Sequence, residues 1–373
     1  MSAHRIRLGV LALGLVLGGT SPARAQVADS TTDYFSASPT MLARWSLVPY
    51  GDIRVRRDDV RDRPGAADFH RQRLTVRTGL TWAPAGNPLR IEAGVRASLG
   101  SDHNRESWSS FDNEVADGFD VDRLMARVSS AAGDGLEIGK MRMPMPLTEL
   151  LWDGDLRPVG VAVATSFSWT RLEGLTAAAG AFTRSRLDGD DARVLAAQVG
   201  FASNPARPGG DVRLSYLAFD ELGTGLARQN RVVVTPEGAR LAPDFGVLDL
   251  QIGGHAHFGR VALTLRLDGA INLATEDDAR RAVRTRLAAG GTDAPFGLEG
   301  GWIYQRIERD AVPGAFNSDD WWFHSRAQGH SAFVNAGVGR AVSLRIAGFV
   351  EKRDNVADAT RRLIVELRAG RED

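Results

Sequence analysis

From residue 45 onward, apolar and polar side chains alternate with a period of two, the signature of strands with one nonpolar and one polar face. In 71–82, Leu74, Val76, Leu80 and Trp82 share one face, while Arg71, Arg73, Thr75, Arg77 and Thr81 share the other. In 89–99, Leu89, Ile91, Ala93, Val95, Ala97 and Leu99 oppose Arg90, Glu92, Gly94, Arg96 and Ser98. In 247–258, Leu248, Leu250, Ile252, Ala256 and Phe258 oppose Asp249, Gln251, His255 and His257; 261–272 repeats the pattern. No comparable run shows helical spacing.

Sixteen segments carry this rhythm: 45–57, 71–82, 89–100, 121–131, 136–142, 159–170, 172–183, 193–202, 211–219, 247–258, 260–273, 282–288, 296–307, 327–339, 341–352 and 360–368. Long polar connections (58–70, 101–120, 143–158, 184–192, 220–246, 274–281, 308–326, 353–359) alternate with short ones such as 84–88, 132–135, Arg171, Gly259 and Arg340. Strict long–short alternation is the rhythm of an up-and-down transmembrane β-barrel, with loops on the extracellular side and tight turns in the periplasm. The pattern therefore predicts an all-β antiparallel barrel of about 16 strands, with 14 or 18 as the neighbouring even counts. Within 220–246, Val232-Val233-Val234 and Pro236-Glu237-Gly238 suggest an extra hairpin. A soluble periplasmic β-protein shares the alternation but gives no reason for the alternating connection lengths. Interface aromatics would be Trp45, Trp82, Phe167, Trp169, Tyr216, Phe258, Trp302 and Tyr304, and the chain ends on Arg371-Glu372-Asp373 rather than on an aromatic.

The first 25 residues place this barrel. A basic start (His4, Arg5, Arg7), an apolar run from Leu8 to Gly19, Pro22 and then Ala23-Arg24-Ala25 form a cleavable secretory signal peptide. That run is too short to span a bilayer as a helix, and no later stretch is long and apolar enough to do so. The expected organisation is signal peptide 1–25, a short periplasmic segment 26–44 and an outer-membrane barrel 45–373. Composition removes other classes. Lys plus Arg and Asp plus Glu balance at 46 each, which argues against nucleic-acid binding. The chain has no cysteine, so disulfides, thiolate metal sites and cysteine nucleophiles are excluded.

If apolar faces meet lipid, the opposite faces line a lumen. Parity points Arg54, Arg56, Arg71, Arg73, Arg77, Arg90, Arg96, Arg123, Arg127, Arg213, Arg266, Arg284, Arg286 and Arg345 inward, against fewer acids: Asp52, Glu92, Asp249, Asp268, Glu299 and Glu351. Such a basic wall favours anions. Alternatively, these arginines pair with loop carboxylates and only brace the barrel.

One segment carries a specific resemblance. Residues 138–163 contain Gly139-Lys140, Pro144, Trp152-Asp153, Asp155-Leu156 and Gly160-Val161. This resembles a proteobacterial porin family related in architecture to the phosphate-selective porins. There, a strand ending in Gly-Lys/Arg leads into a proline-containing loop, a Trp-Asp-x-Asp-Leu stretch and a further strand. The resemblance implies an outer-membrane channel, trimeric in the better-known relatives. In this chain Pro144, Pro146 and Pro158 prevent the segment from continuing as a ladder strand. Lys140, Arg142, Asp153, Asp155 and Arg157 are the candidate constriction-loop residues, on a loop that either folds inward or stays solvated outside.

His255 and His257 share a strand face, but polar residues on a lumen wall need no metal, and no metal or cofactor is expected. Gly223-Thr224-Gly225 lacks the helix of a nucleotide site. His103, His324 and His330 lie in or beside loops without an assignable nucleophile, so no enzyme is expected. The reading is a passive channel for small hydrophilic solutes or ions with weak anion preference, its contacts being lipid, solute and further copies of the chain. Its rivals are a plugged or adhesive barrel that binds a partner through its loops, and the soluble β-protein.

Overall fold

The computed structural model describes residues 46–371, apart from 85, 101–117, 131–133, 168–173, 184–191, 204–207, 225–229, 236–237, 242–243, 260, 292–295 and 339–340. The signal peptide 1–25, segment 26–44, interface candidates Trp45 and Trp169, and His103 therefore lie outside the described residues.

Sixteen strands close into one antiparallel barrel: β1 (Ser46–Arg61), β2 (Phe69–Ala83), β3 (Leu89–Gly100), β4 (Gly118–Ser129), β5 (Gly135–Lys140), β6 (Val159–Phe167), β7 (Leu175–Thr183), β8 (Arg193–Ala202), β9 (Gly209–Asp220), β12 (Phe245–Phe258), β13 (Val261–Asn272), β14 (Arg281–Gly291), β15 (Leu298–Ile307), β16 (Ala327–Gly337), β17 (Val342–Arg353) and β18 (Thr360–Arg371). The intervening β10 (Val232–Thr235) and β11 (Gly238–Leu241) form a separate two-stranded hairpin, at the position marked by the valine run. Each barrel strand pairs with its sequence neighbours, β9 pairing β12 across the hairpin, and the ring closes from Gly51↔Arg371 to Arg61↔Arg361. Closure leaves no unpaired strand edge, which is what a spanning sheet requires. Among the described residues no helix is long and apolar enough to cross a membrane.

The alternation maps onto two environments. Ile53 and Val55 are each 48 % exposed, whereas Arg54 and Arg56, which alternate with them, are 4 % and 3 % exposed. The apolar face is the outside, and the arginine face is the packed interior. Several strands run past their expected ends because pairing continues beyond the apolar stripe. β1 reaches Arg61 and β2 starts at Phe69, so the first long loop shrinks to 62–68.

One irregularity reverses parity. The β3–β4 register shifts between Gly94 and Val95, which face Arg123 and Val121, so Asp122 is the extra residue of a β-bulge. Asp122 and Arg123 consequently both point inward, at 1 % and 3 % exposure.

Glycines shape the inner wall where an aromatic ring lies on it. A Cβ at Gly79 or Gly94 would collide with the Tyr50 ring or hydroxyl. Tyr50 thus lies across β2 and β3, with the Arg123 guanidinium 5.2 Å from its ring centroid.

Candidate functional site

The barrel interior is divided by two long loops that turn inward: L3 (residues 141–158), between β5 and β6, and L7 (residues 308–326), between β15 and β16. L3 crosses from an apolar wall to a basic one. Its first half alternates Met141, Met143, Met145 and Leu147, all buried in one cluster with Ala162, Phe182, Val194, Ala196 and Leu217. The small inward residues of β6 to β8 leave the space this strip fills. Prolines keep the strip from pairing as a strand, and the Pro146 carbonyl accepts hydrogen bonds from Gln198 Nε2 (2.9 Å) and Gln251 Nε2 (3.4 Å). At Thr148 the chain makes one turn, its carbonyl accepting from the Leu151 and Trp152 amides at 3.0 Å each.

Beyond the turn L3 meets L7. Trp152 packs on Phe316 with ring centroids 5.5 Å apart, the Asp153 amide donates to the Phe316 carbonyl (2.6 Å), and the Ser318 amide donates to the Glu149 carbonyl (2.9 Å). The Asp153 carboxylate accepts from the amides of Asp155 (2.7 Å) and Asp319 (2.8 Å). Burial, with Asp319 and Asp155 close by, pushes Asp153 well above the usual carboxylate range.

Asp155 completes the crossing. It lies 3.0 Å from Arg54 Nη1 and 2.6 Å from Arg77 Nη2. Burial alone would raise it, but Arg54, Arg77, Arg96 and Arg157 outweigh that and hold it well below the ordinary range. L7 is fixed in the same manner. Asp320 lies 2.9 Å from Arg56 Nη1 and 2.6 Å from Arg345 Nη1. Burial opposes its ionisation, yet Arg345, Arg56 and Arg362 keep it below its ordinary value. Arg362 donates to the carbonyls of Asp319 (2.7 Å) and Asp320 (2.9 Å), and Glu351 accepts from the amides of Trp322 (2.9 Å) and Phe323 (3.0 Å).

The residues singled out from sequence divide by environment. Arg54, Arg56, Arg73, Arg77, Arg96 and Arg123 are buried on the β1–β4 wall, and several of them hold loop carboxylates, as the bracing alternative expects. Arg284 pairs with Glu149 of L3. Arg90 and Arg127 pair with Glu92 (2.8 Å) and Glu137 (3.3 Å) near the short-turn end. Arg286 pairs with Glu299 (2.7 Å) and Arg266 with Asp211 (3.5 Å). The side chains of Arg345, Arg368, Arg266 and Arg286 keep 28, 27, 20 and 17 % exposure, far more than Arg54, Arg56 and Arg77 at 5, 3 and 1 %, while Arg90 at the short-turn end of β3 keeps 40 %. Of the loop candidates, Lys140 closes β5, 3.7 Å from Asp120. Arg142 is the second residue of L3, and the fully buried Arg157 donates to its neighbour's carbonyl at Leu156 (3.0 Å).

The parity count understates the acids. Asp58, Glu137 and Glu366 also face inward, Asp122 joins them through the bulge, and Asp155, Asp319 and Asp320 arrive from the loops. Asp58 alone binds Arg56 Nε and Arg71 Nε at 3.0 Å each and Arg362 Nη2 at 3.3 Å. Glu366 and Arg362 lay within the visible alternation of the last strand, whereas the bulge leaves no mark in the sequence.

His255 and His257 stand side by side with ring centroids 6.4 Å apart. Among the described residues no three His, Cys, Asp or Glu side chains cluster as a metal site. His324 bonds to Asn317 (2.7 Å), and His330 stacks on Trp302 of the outer face (5.7 Å).

With this geometry in place, comparison identifies the fold. No protein-family model matches the chain, and no curated protein matches it in sequence. Solved bacterial outer-membrane porins do match it in structure. OprB of Pseudomonas putida, in its high-pH structure, aligns with a TM-score of 0.60 at 9 % identity over 87 % of this chain and 93 % of its own. OccAB1 of Acinetobacter baumannii gives 0.54 at 12 % identity, over 87 % of this chain and 96 % of its own. An anion-selective porin from Comamonas acidovorans gives 0.52 at 12 % identity, over 88 % of this chain and all of its own. The chain has the porin fold.

Proposed function

We propose that this protein is an outer-membrane porin, a passive diffusion channel for small hydrophilic solutes or ions with a weak preference for anions. The observation that carries the reading is the pairing of an apolar exterior with a charged, partly water-accessible interior inside a closed barrel. This reading puts a water-filled path beside the L3–L7 partition, supported by the exposure that Arg266, Arg286, Arg345 and Arg368 retain together with Glu149 and Glu299. The buried arginines of β1 to β3 anchor the loops, so the anion preference rests on the exposed set. It stays weak because the exposed acids offset part of that charge. The Comamonas acidovorans porin, described as anion-selective, is a structural neighbour that favours the same direction. No reaction or cofactor is required. The signal peptide 1–25 directs export, and assembly as a homotrimer in outer-membrane lipid belongs to this reading.

A plugged barrel is the second reading, favoured by the apolar seam of Leu150, Leu151, Trp152 and Phe316 inside the barrel. Planar-bilayer conductance of the detergent-purified mature protein separates the two. Stepwise conductance with an anion-leaning reversal potential under a salt gradient is expected. Silence from a heat-modifiable, folded barrel would favour the plug, and a cation-leaning reversal would move the selectivity to the acids.

A further inference from the structure

Two carboxyl groups of the barrel wall face each other with no arginine between them. Asp249 on β12 and Asp268 on β13 are 0 % and 4 % exposed and lie within hydrogen-bonding range of one another. The strand register sets Gln251 opposite Asp268 and Ser215 opposite Asp249. Asp249 Oδ2 accepts from Gln251 Nε2 at 2.9 Å and from Ser215 Oγ at 3.4 Å. The other Asp249 oxygen, both Asp268 oxygens and Gln251 Oε1 are buried acceptors with no hydrogen-bond partner among the described residues. The wall arginines on this side are engaged elsewhere: Arg284 with Glu149, and Arg266 with Asp211 at 3.5 Å. Arg284 stands opposite Asp268 in the β13–β14 register, and both arginines attract Asp268 at longer range, but neither comes within ion-pair distance of Asp249 or Asp268.

Buried carboxylates require a compensating charge, and buried acceptors require a donor or a cation. We propose that Asp249, Gln251 and Asp268 form a binding site for a hard divalent cation, with Ca2+ as the matching probe. A shared proton would serve one contact between the carboxyls and leave Gln251 Oε1 and further carboxyl oxygens without partners. One cation satisfies all four acceptors and neutralises both charges. The donors are all oxygen, which suits Ca2+ or Mg2+ over soft metals, and Ca2+ completes its shell of 6–8 ligands with water. Cation binding here does not depend on the barrel's conducting solutes. Its structural effect runs through Gln251, whose amide nitrogen also reaches the Pro146 carbonyl of L3 at 3.4 Å. A cation held on Gln251 Oε1 would fix that amide and thereby the apolar half of L3.

The test is calorimetric titration of Ca2+ into the detergent-purified full-length barrel after chelator treatment, with heat-modifiable gel mobility as the folding control. Saturable binding of one Ca2+ per chain is expected, with a rise in the heat-modification temperature. Asp268→Asn should weaken binding at least about tenfold by removing ligand charge, whereas Glu299→Gln, elsewhere on the wall, should leave it unchanged. Gln251→Met, which removes a single oxygen, gives the reading if the aspartate variant does not fold. No Ca2+ binding by the folded wild type overturns the proposal. So does unaltered affinity in Asp268→Asn, or an infrared carboxylic-acid band that persists at saturating Ca2+ and disappears in that variant.

Discussion

Asp155 of L3 is held between two barrel arginines, Arg54 at 3.0 Å and Arg77 at 2.6 Å, on adjacent strands. One loop carboxylate therefore ties the far side of L3 to β1 and β2, opposite the apolar contact that fixes its near side. Removing one partner of a buried ion pair costs about 3–5 kcal/mol, because the remaining charge stays buried. Asp155→Ala should loosen L3 and unmask arginine charge. Lower heat-modification temperature, larger single-channel conductance and a stronger anion preference are expected together. Unchanged conductance and selectivity would show that Asp155 does not hold the partition.

Asp153 and Asp155 titrate in opposite senses. Asp155 is depressed, so its contribution is present above the ordinary carboxylate range and is lost only as the pH falls through its lowered value. Asp153 is raised, so its contribution is complete below the ordinary range and is lost as the pH rises through its elevated value. The L3–L7 seam should thus loosen on the alkaline side, read as faster chymotryptic cleavage at Leu150 to Trp152, corrected for the protease's own pH profile. Asp153→Asn mimics the protonated form and should flatten that alkaline rise. A variant with the wild-type pH profile would assign the loosening to another group.

Asn230 organises L7 from the loop that carries the extra hairpin. Its side-chain nitrogen donates to the carbonyls of Arg309 (2.9 Å) and Val312 (3.0 Å), and its oxygen accepts from the Gly314 amide (2.7 Å). Losing one partner of a buried hydrogen bond costs about 1–3 kcal/mol. Asn230→Ala should leave the barrel closed while making L7 more open to protease, with Asn230→Asp intermediate. Identical cleavage rates in wild type and Asn230→Ala would contradict this.

Tyr50 and Gly79 provide a packing test on the opposite wall. A methyl at Gly79 meets the Tyr50 ring, and overpacking of this kind costs about 1–3 kcal/mol. Gly79→Ala should lower the heat-modification temperature, and adding Tyr50→Ala should recover part of the loss. Simple additivity of the two changes in a double-mutant cycle would show that the ring and the glycine do not interact.

The outer architecture was legible because it depends on local patterning. Leu74 and Val76 against Arg73 and Arg77 already state which face of β2 meets a nonpolar medium, and the valine run at 232–234 marks the added hairpin. The candidate site was legible only in part. The basic wall followed from parity, but Asp122 entered it through a bulge that depends on pairing with Gly94 and Val95. Asp320 entered it from a loop whose path no periodicity describes.

The sequence by itself determined the strand rhythm, the outward apolar face and the inward arginines, because alternation with a period of two is a property of each strand alone. Only the tertiary structure decided what those arginines do. Closure brings β1 to β3 within reach of Asp155 and Asp320, carried on loops distant in sequence. Buried guanidinium groups take the nearest carboxylates available, because an uncompensated charge in that interior is far costlier than a salt bridge. The same closure left Asp249 and Asp268 facing each other, a juxtaposition set by the register of β12 and β13 and by where Glu149 and Asp211 drew the neighbouring arginines.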